Sequence, residues 1–274
     1  MSTFHYIHGN EPHEQRRLSK LNDLLNDASL REMGLRGGER ILDIGCGLAQ
    51  MARAMARAAG PLGRVIGVEQ DAQQRAEAER QARVQGEQDL IEVRAGDAAN
   101  LPLADDEWGT FDVVHARFIL EHVPNPHVVV RSMVRAARPG GKIILEDDDH
   151  ELLRLWPEPL GFYQVWRAYM RAFESLGTDP RVGRHLVTLL HEAGARPVRN
   201  TFNFFGGCAG SPSFDALIRN FVGILEGAEE RMVSLGHIDR ATVREGLTVF
   251  EEWGKRPDAA MWYPTCWAEG RREK

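Results

Sequence analysis

Between residues 40 and 145, short apolar runs of strand length alternate with longer helix-forming segments, and this rhythm limits the possible folds more than any other feature. The apolar runs are 40–44, 64–68, 91–94, 111–115 and 142–145. Between them lie an Ala/Arg-rich stretch at 51–59, a polar helix former at 72–85 and a segment at 125–137. In the last of these Val128, Val129, Ser132, Met133 and Ala136 recur at helical spacing, and Pro139-Gly140-Gly141 stops it. Strands separated by helices pair in parallel through right-handed crossovers. The pattern predicts an α/β, doubly wound sheet, preceded by a polar, helix-prone segment at 12–33.

The rhythm changes after residue 150. Residues 160–176 are aromatic-rich and read as a helix, 182–193 as a second helix ended by Gly194, and 197–205 as a strand. A Gly-rich stretch at 206–210 leads into two or three helices over 214–253 and a final strand at 261–267. With no repeat, low-complexity tract or extended linker, residues 1–274 read as one domain with helical insertions along one edge. A net charge of -6 argues against a surface that grips nucleic-acid phosphates broadly. Cys46, Cys208 and Cys266 are far apart and lack metal-ligand spacing, which fits free thiols in a reducing compartment. Residues 1–10 hold no apolar stretch like a signal peptide, and no apolar run is long enough to cross a bilayer. The expectation is a soluble, cytoplasmic protein.

The most informative segment is Ile41-Leu42-Asp43-Ile44-Gly45-Cys46-Gly47-Leu48-Ala49-Gln50. A strand ends, the chain turns on two glycines, and a helix begins near Leu48. Glycines serve a turn that a ligand must approach closely, because any Cβ would intrude. Asp43 and Gln50 decide which ligand. A dinucleotide cradle needs a small residue at the third glycine position, where Gln50 stands. Two phosphates beside Asp43 would be repelled, whereas a sulfonium and an ammonium would not.

This stretch resembles motif I of the class I S-adenosylmethionine-dependent methyltransferases, Asp-x-Gly-x-Gly-x-Gly, with Ala49 in the last glycine position. The resemblance continues in order: Glu69 after Val65-Ile66-Gly67-Val68, Gly96-Asp97-Ala98, Phe111-Asp112-Val113-Val114-His115-Ala116-Arg117, Leu120-Glu121-His122-Val123 and Arg138-Pro139-Gly140-Gly141. It is nearest to the small-molecule branch that includes the ubiquinone- and menaquinone-type enzymes. It implies a Rossmann-like doubly wound sheet of seven strands with helical cap insertions. In that frame 1–33 form N-terminal lid helices, 34–150 the cofactor core, and 151–180 with 210–256 the caps. The implied cofactor is S-adenosyl-L-methionine, with S-adenosyl-L-homocysteine as product.

The resemblance also assigns roles. Glu69 would accept from both ribose hydroxyls, since a carboxylate has two acceptor oxygens. Gln70 would lie beside adenine, Asp97 would accept from its amino group, and the Ala98 N–H would donate to a ring nitrogen. Asp43 and the Gly45 carbonyl would hold the methionine ammonium, with Cys46, Gly47, Gln50 and Arg117 bordering the cofactor. Tyr6 would pack near the sulfonium, which favours an aromatic face, and Arg17 would pair with the methionine carboxylate. For the catalytic residue Tyr6, His115, His122 and Asp147 are candidates, with His150 a further imidazole.

The run Glu146-Asp147-Asp148-Asp149-His150 stands where a strand leaves the carboxyl edge of the sheet. Some catechol-type methyltransferases place acids there for Mg²⁺, a hard ion that prefers oxygen. Here the run is expected to be an exposed loop with one inward acid, Asp147 or Asp149, and no metal. Phe162, Trp166, Tyr169 and Phe173 share one helical face and are expected to pack onto the sheet. Phe214, Ile218, Phe221, Val222 and Leu225 likewise read as core. The expected partner is a small-molecule acceptor, not nucleic acid or membrane, for a monomer or homodimer. The competing readings are an NAD(P)-dependent oxidoreductase, a macromolecule-modifying methyltransferase, for which 115–118 lacks the Asn/Asp-Pro-Pro-aromatic tetrapeptide, and a non-catalytic nucleotide-binding partner protein.

Overall fold

Strand β1 (Arg40–Ile44) is buried at four of its five positions, as a strand covered on both faces must be. It pairs in parallel with β2 (Arg64–Glu69) on one side and with β4 (Phe111–Arg117) on the other. β3 (Ile91–Ala95) extends the sheet beyond β2, and β5 (Ala137–Asp148) lies beside β4. The computed structural model, which describes residues 12–273, completes a seven-stranded sheet with β7 (Ala195–Phe204) and β10 (Pro264–Arg272) in the order β3-β2-β1-β4-β5-β10-β7. β10 runs antiparallel to both β5 and β7. The order reverses between β1 and β4, so a crevice opens at their carboxyl ends, the place where such sheets bind ligands.

Alternate side chains serve opposite faces. Leu42, Ile44, Val114 and Ala116 pack with Val129 and Met133 of α4 (Pro126–Ala136). Ile41, Val113 and Ile144 pack with Met51 and Met55 of α2 (Gln50–Ala59) and with Met33 at the end of α1 (Pro12–Met33). The polar helix α3 (Ala72–Gln85) buries only Ala78 and Ala82 and starts on Asp71, whose side chain accepts from Gln74 N. Such an N-cap satisfies one of the orphan amides of a first turn.

The aromatic stripe packs differently from expectation. Phe162, Trp166, Tyr169 and Phe173 of α5 (Phe162–Ser175) do not lie on the large sheet. They build a separate core with α7 (Phe214–Ser234) and α8 (Arg240–Gly254). Phe162 stacks on Phe250 at 4.3 Å and Trp166 meets Phe221 at 5.5 Å between ring centroids. Phe214, Ile218, Phe221, Val222 and Leu225 are all buried in this core.

Two other elements depart from the sequence reading. The segment 182–193 is a 3-10 turn (Val182–His185) followed by the short helix α6 (Leu186–Glu192). The final strand is broken: β9 (Ala260–Trp262) joins a small sheet with β6 (Arg154–Trp156) and β8 (Gly207–Cys208), while β10 enters the large one. Between them Tyr263 turns into the helical core at 3% exposure, and Pro264, which has no N–H to donate, opens the new ladder. Among the described residues no helix is long and apolar enough to cross a membrane.

Candidate functional site

The turn after β1 is held by β2. Gly45 N and Cys46 N both donate to Val68 O, at 2.8 and 3.0 Å. Gly45 has φ +67°, and a Cβ there would stand 2.2 Å from Cγ1 of Ile119, so conformation and space both demand glycine. Gly47 and Ala49 are also left-handed, and α2 begins at Gln50 without a side-chain cap. Its first amides are therefore left to other partners.

Glu69, 7% exposed at the end of β2, meets this turn. Its Oε2 accepts from Gly47 N at 3.0 Å and its Oε1 from Asp71 N at 2.8 Å. Burial pushes its carboxyl up from the ordinary value, and these two amides pull the other way. A carboxylate offers about four lone-pair sites, so acceptor capacity remains for two hydroxyls. Gln70 beside it is exposed. Just past the end of the next strand, β3, Asp97 is exposed and accepts from Ala99 N at 2.7 Å, with Ala98 half-buried against the sheet core. Thus Gly45, Cys46, Gly47, Glu69, Gln70, Asp97 and Ala98 fall along the carboxyl ends of three adjacent strands.

Asp43 and His115, assigned separate roles by sequence, are brought together. The Asp43 carboxylate lies 2.7 Å from His115 Nδ1 across the β1–β4 ladder, at 3% and 1% exposure. The Cys46 thiol is pushed well up by burial and by the nearby Asp43 and Glu69 charges, which keeps it protonated.

Helix α1 is pinned over the opening between β1 and β4. Gln50 donates to Ser19 Oγ at 2.9 Å and accepts from Asn22 at 3.0 Å. Arg117, at the end of β4, donates to Asn22 and Asn26 at 2.5 and 2.8 Å and to Ser29 Oγ at 3.3 Å. Arg17 reaches α7, where its guanidinium donates to Asn220 at 2.7 Å. Tyr6 lies outside the described residues.

The run 146–150 corrects the sequence reading outright. It is not an exposed loop: β5 continues to Asp148, and Glu146, Asp147, Asp149 and His150 are 0, 0, 2 and 3% exposed. Glu146 accepts from Ser29, Asn203 and Thr265, tying α1, β7 and β10 together. Asp147 Oδ2 accepts from the amides of Ile119 and Leu120 at 3.1 and 2.8 Å, setting Ile119 against Gly45. Asp149 makes two bonds to the Arg184 guanidinium. His150 bridges Glu121 Oε2 at 3.0 Å and Tyr263 Oη at 2.7 Å. Burial drives Glu121 up to about 8 and Asp147 and Asp148 well above the carboxylate range. His122 stacks on Phe173, and burial first, then His150 and Arg17, lowers it to about 3, so it is neutral.

Sequence reasoning missed Phe118, Ser29, Asn203 and Tyr263. Phe118 holds φ +53°, an outlier for a bulky residue, directly after β4, and packs against the helical core. No local pattern announces it, and Tyr263 comes from the far end of the chain. A separate cleft, lined by Gly37, Glu39, Asp112, Arg138, Lys142 and Arg271, opens at the amino ends of the strands, away from the glycine turn.

Residues 42–145 match the family described as methyltransferase domain. The demethylmenaquinone methyltransferase of Anoxybacillus flavithermus is 33% identical over 52% of this chain and 56% of its own length. The chain thus spans little more than half the length of that curated relative. A SAM-dependent methyltransferase from Aquifex aeolicus superposes with a TM-score of 0.53 at 19% identity, covering 70% of this chain and 93% of its own. The geranyl diphosphate C-methyltransferase of Streptomyces coelicolor, solved with Mg²⁺, geranyl diphosphate and S-adenosyl-L-homocysteine, does so at 0.55 and 12% identity, covering 96% of this chain and 85% of its own. At such identities the two structures show a shared fold.

Proposed function

We propose that the chain is a class I, S-adenosylmethionine-dependent methyltransferase that moves a methyl group onto an O, N or C atom of a small molecule, a reading supported by the family match over residues 42–145 and by the demethylmenaquinone methyltransferase relative. The observation that carries this reading is Glu69 at the glycine turn, a buried carboxylate where a diphosphate would be repelled and ribose hydroxyls are welcome. Gln70, Asp97 and Ala98 take the adenine side, and the Gly45–Gly47 turn with Asp43 takes the methionine side. Asp43 stands at the strand end below that turn, with its carboxylate turned toward His115. Gln50 and Arg117 serve by fixing α1 as a cover, and Arg17 is the candidate partner of the methionine carboxylate. The α5, α7 and α8 layer is the substrate cap.

Methyl transfer is an in-line displacement in which the acceptor attacks the methyl carbon and a neutral thioether leaves. The leaving group is built into the cofactor, so this chain chiefly aligns the reactants and excludes water. His115 and Asp147 already bond Asp43 and two loop amides, which supports alignment over a dedicated base at either position. A net charge of -6 supports a small acceptor rather than nucleic acid, and three free cysteines support a reducing, cytoplasmic setting.

Calorimetry with S-adenosyl-L-homocysteine on the parent and on Glu69→Ala tests the reading. Binding by the parent and at least a tenfold loss in the variant are expected, about 1.4 kcal/mol or more. Equal affinity removes Glu69 from its role, and tightening by NAD(P)H instead moves the chain to the oxidoreductases.

A further inference from the structure

Glu121, Asp148 and His150 come from three separate places: the 3-10 turn Leu120–His122 after β4, the end of β5, and the 3-10 turn His150–Leu152. One ligand-capable atom from each lies within 4.8 Å of the other two. We propose that these three side chains bind a divalent transition-metal ion of the Mn²⁺, Fe²⁺ or Zn²⁺ class.

The hydrogen bonds lead to a gap that needs a cation. His150 Nδ1 and the Tyr263 hydroxyl lie 2.7 Å apart. In the tautomer whose Nδ1–H donates to that hydroxyl, Nε2 is a bare lone pair. That lone pair faces Glu121 Oε2 at 3.0 Å. Two acceptors so placed are held together only by a cation between them, either a proton or a metal ion. Independently, Asp148 Oδ1 is shut off from solvent and has no hydrogen-bond partner. Buried polar atoms left unpaired are rare and point to something missing beside them.

The donor set fixes the class of ion. Mg²⁺ and Ca²⁺ take oxygen ligands, whereas an imidazole with carboxylates suits Mn²⁺, Fe²⁺ and Zn²⁺. Tyr263 on Nδ1 is the partner that orients a ligating histidine, and Trp166 Nε1, donating to His150 O at 2.8 Å, fixes the backbone. Three protein ligands leave positions open for an acceptor oxygen or nitrogen. That use rests on the methyl-transfer reading, whereas ion binding does not.

The test is titration of the chelator-treated, full-length protein with Mn²⁺, read by calorimetry and by the paramagnetic resonance of the free ion. One ion per chain is expected, with Glu121→Gln and Asp148→Asn each weakening it at least about tenfold. Tyr263→Phe keeps all three ligands and is expected to weaken it about 10- to 100-fold, as loss of an orienting partner does. Circular dichroism and S-adenosyl-L-homocysteine binding on the same samples separate this outcome from failure of the cofactor site. Where Glu121→Gln does not fold, Asp148→Asn carries the comparison. No stoichiometric Mn²⁺ or Zn²⁺ binding by the parent, or parental affinity in the folded ligand variants, overturns the proposal.

Discussion

Asp43 Oδ1 and His115 Nδ1 lie 2.7 Å apart across two neighbouring strands, with both side chains almost wholly buried. The bond stands directly beneath the glycine turn and leaves His115 Nε2 without a partner. Each group is therefore the other's hydrogen-bonding provision in an apolar layer. Removing one member of such a pair strands the other. His115→Leu is expected to cost about 3 kcal/mol, near the lower end for a buried ion left unpaired. Asp43→Asn, which can still accept a hydrogen bond, is expected to cost about 1 kcal/mol. Urea unfolding of the two variants measures both, and equal costs would deny that Asp43 depends on His115.

Gly45 and Gly47 are expected to respond unequally to alanine. At Gly45 the new Cβ would overlap Ile119, whose position is fixed by Asp147 through the amides of residues 119 and 120. At Gly47 the nearest atom is Gln74 Oε1 at 3.0 Å, the end of a flexible side chain. Both replacements strain a left-handed backbone, by roughly 1 kcal/mol each. Only Gly45→Ala must also displace a loop at the site. It is expected to weaken S-adenosyl-L-homocysteine binding at least tenfold, about 1.4 kcal/mol, and Gly47→Ala by less. Calorimetry reads both, and the reverse order would break the link from Asp147 to Gly45.

The five parallel strands and the glycine turn were legible because each depends on neighbours in sequence: apolar runs, helical spacing and a tight turn. Strand β1 occupies the span expected from its residues, and Glu69 ends β2 where the motif order requires. The run 146–150 was not legible. Four acids and a histidine look like solvated loop, yet their partners, Ser29, Asn203, Arg184, Thr265 and Tyr263, are distant in the chain. A buried charge is tolerated only by such remote partners, so nothing local marks it. The aromatic stripe was legible as buried but not as to its counterpart, because helical periodicity shows which face is apolar and not what covers it.

Glu146 offers a direct measure of that hidden network. Its carboxyl takes hydrogen bonds from Ser29 Oγ at 2.9 and 2.8 Å, Asn203 at 2.8 Å and Thr265 at 3.0 Å, at no exposure. Glu146→Ala leaves three donors facing a cavity and is expected to cost about 3 kcal/mol or more. Ser29→Ala removes one donor while the others remain, and about 1 kcal/mol is expected. A shift of the urea midpoint without a change in slope gives both values. Parental stability in Glu146→Ala would mean that the strand end is held by something else.

Acid stability is expected to hinge on Glu107, at the opposite edge of the sheet. Arg94 grips both its oxygens at 2.5 and 2.9 Å, Ala104 N donates at 3.0 Å, and Arg40 adds a contact at 3.2 Å. The Arg94 bonds, first among the causes, hold its carboxyl down at about 2, against an ordinary 4.5. A carboxyl depressed by folding contributes its full stabilisation above the unfolded value and loses it as pH falls through the folded one. The window is therefore from about 4.5 down to about 2. Because the pair sits at a partly wet rim, the contribution is discounted to about 1–2 kcal/mol. For a chain of this size that is a Tm difference of about 2–8 °C between parent and Glu107→Gln at pH 7. Melting curves across that window should show the difference shrinking as the parent's carboxyl takes up its proton. A gap that stays constant down to pH 2 would mean that the loss in Glu107→Gln is one of packing and not of charge.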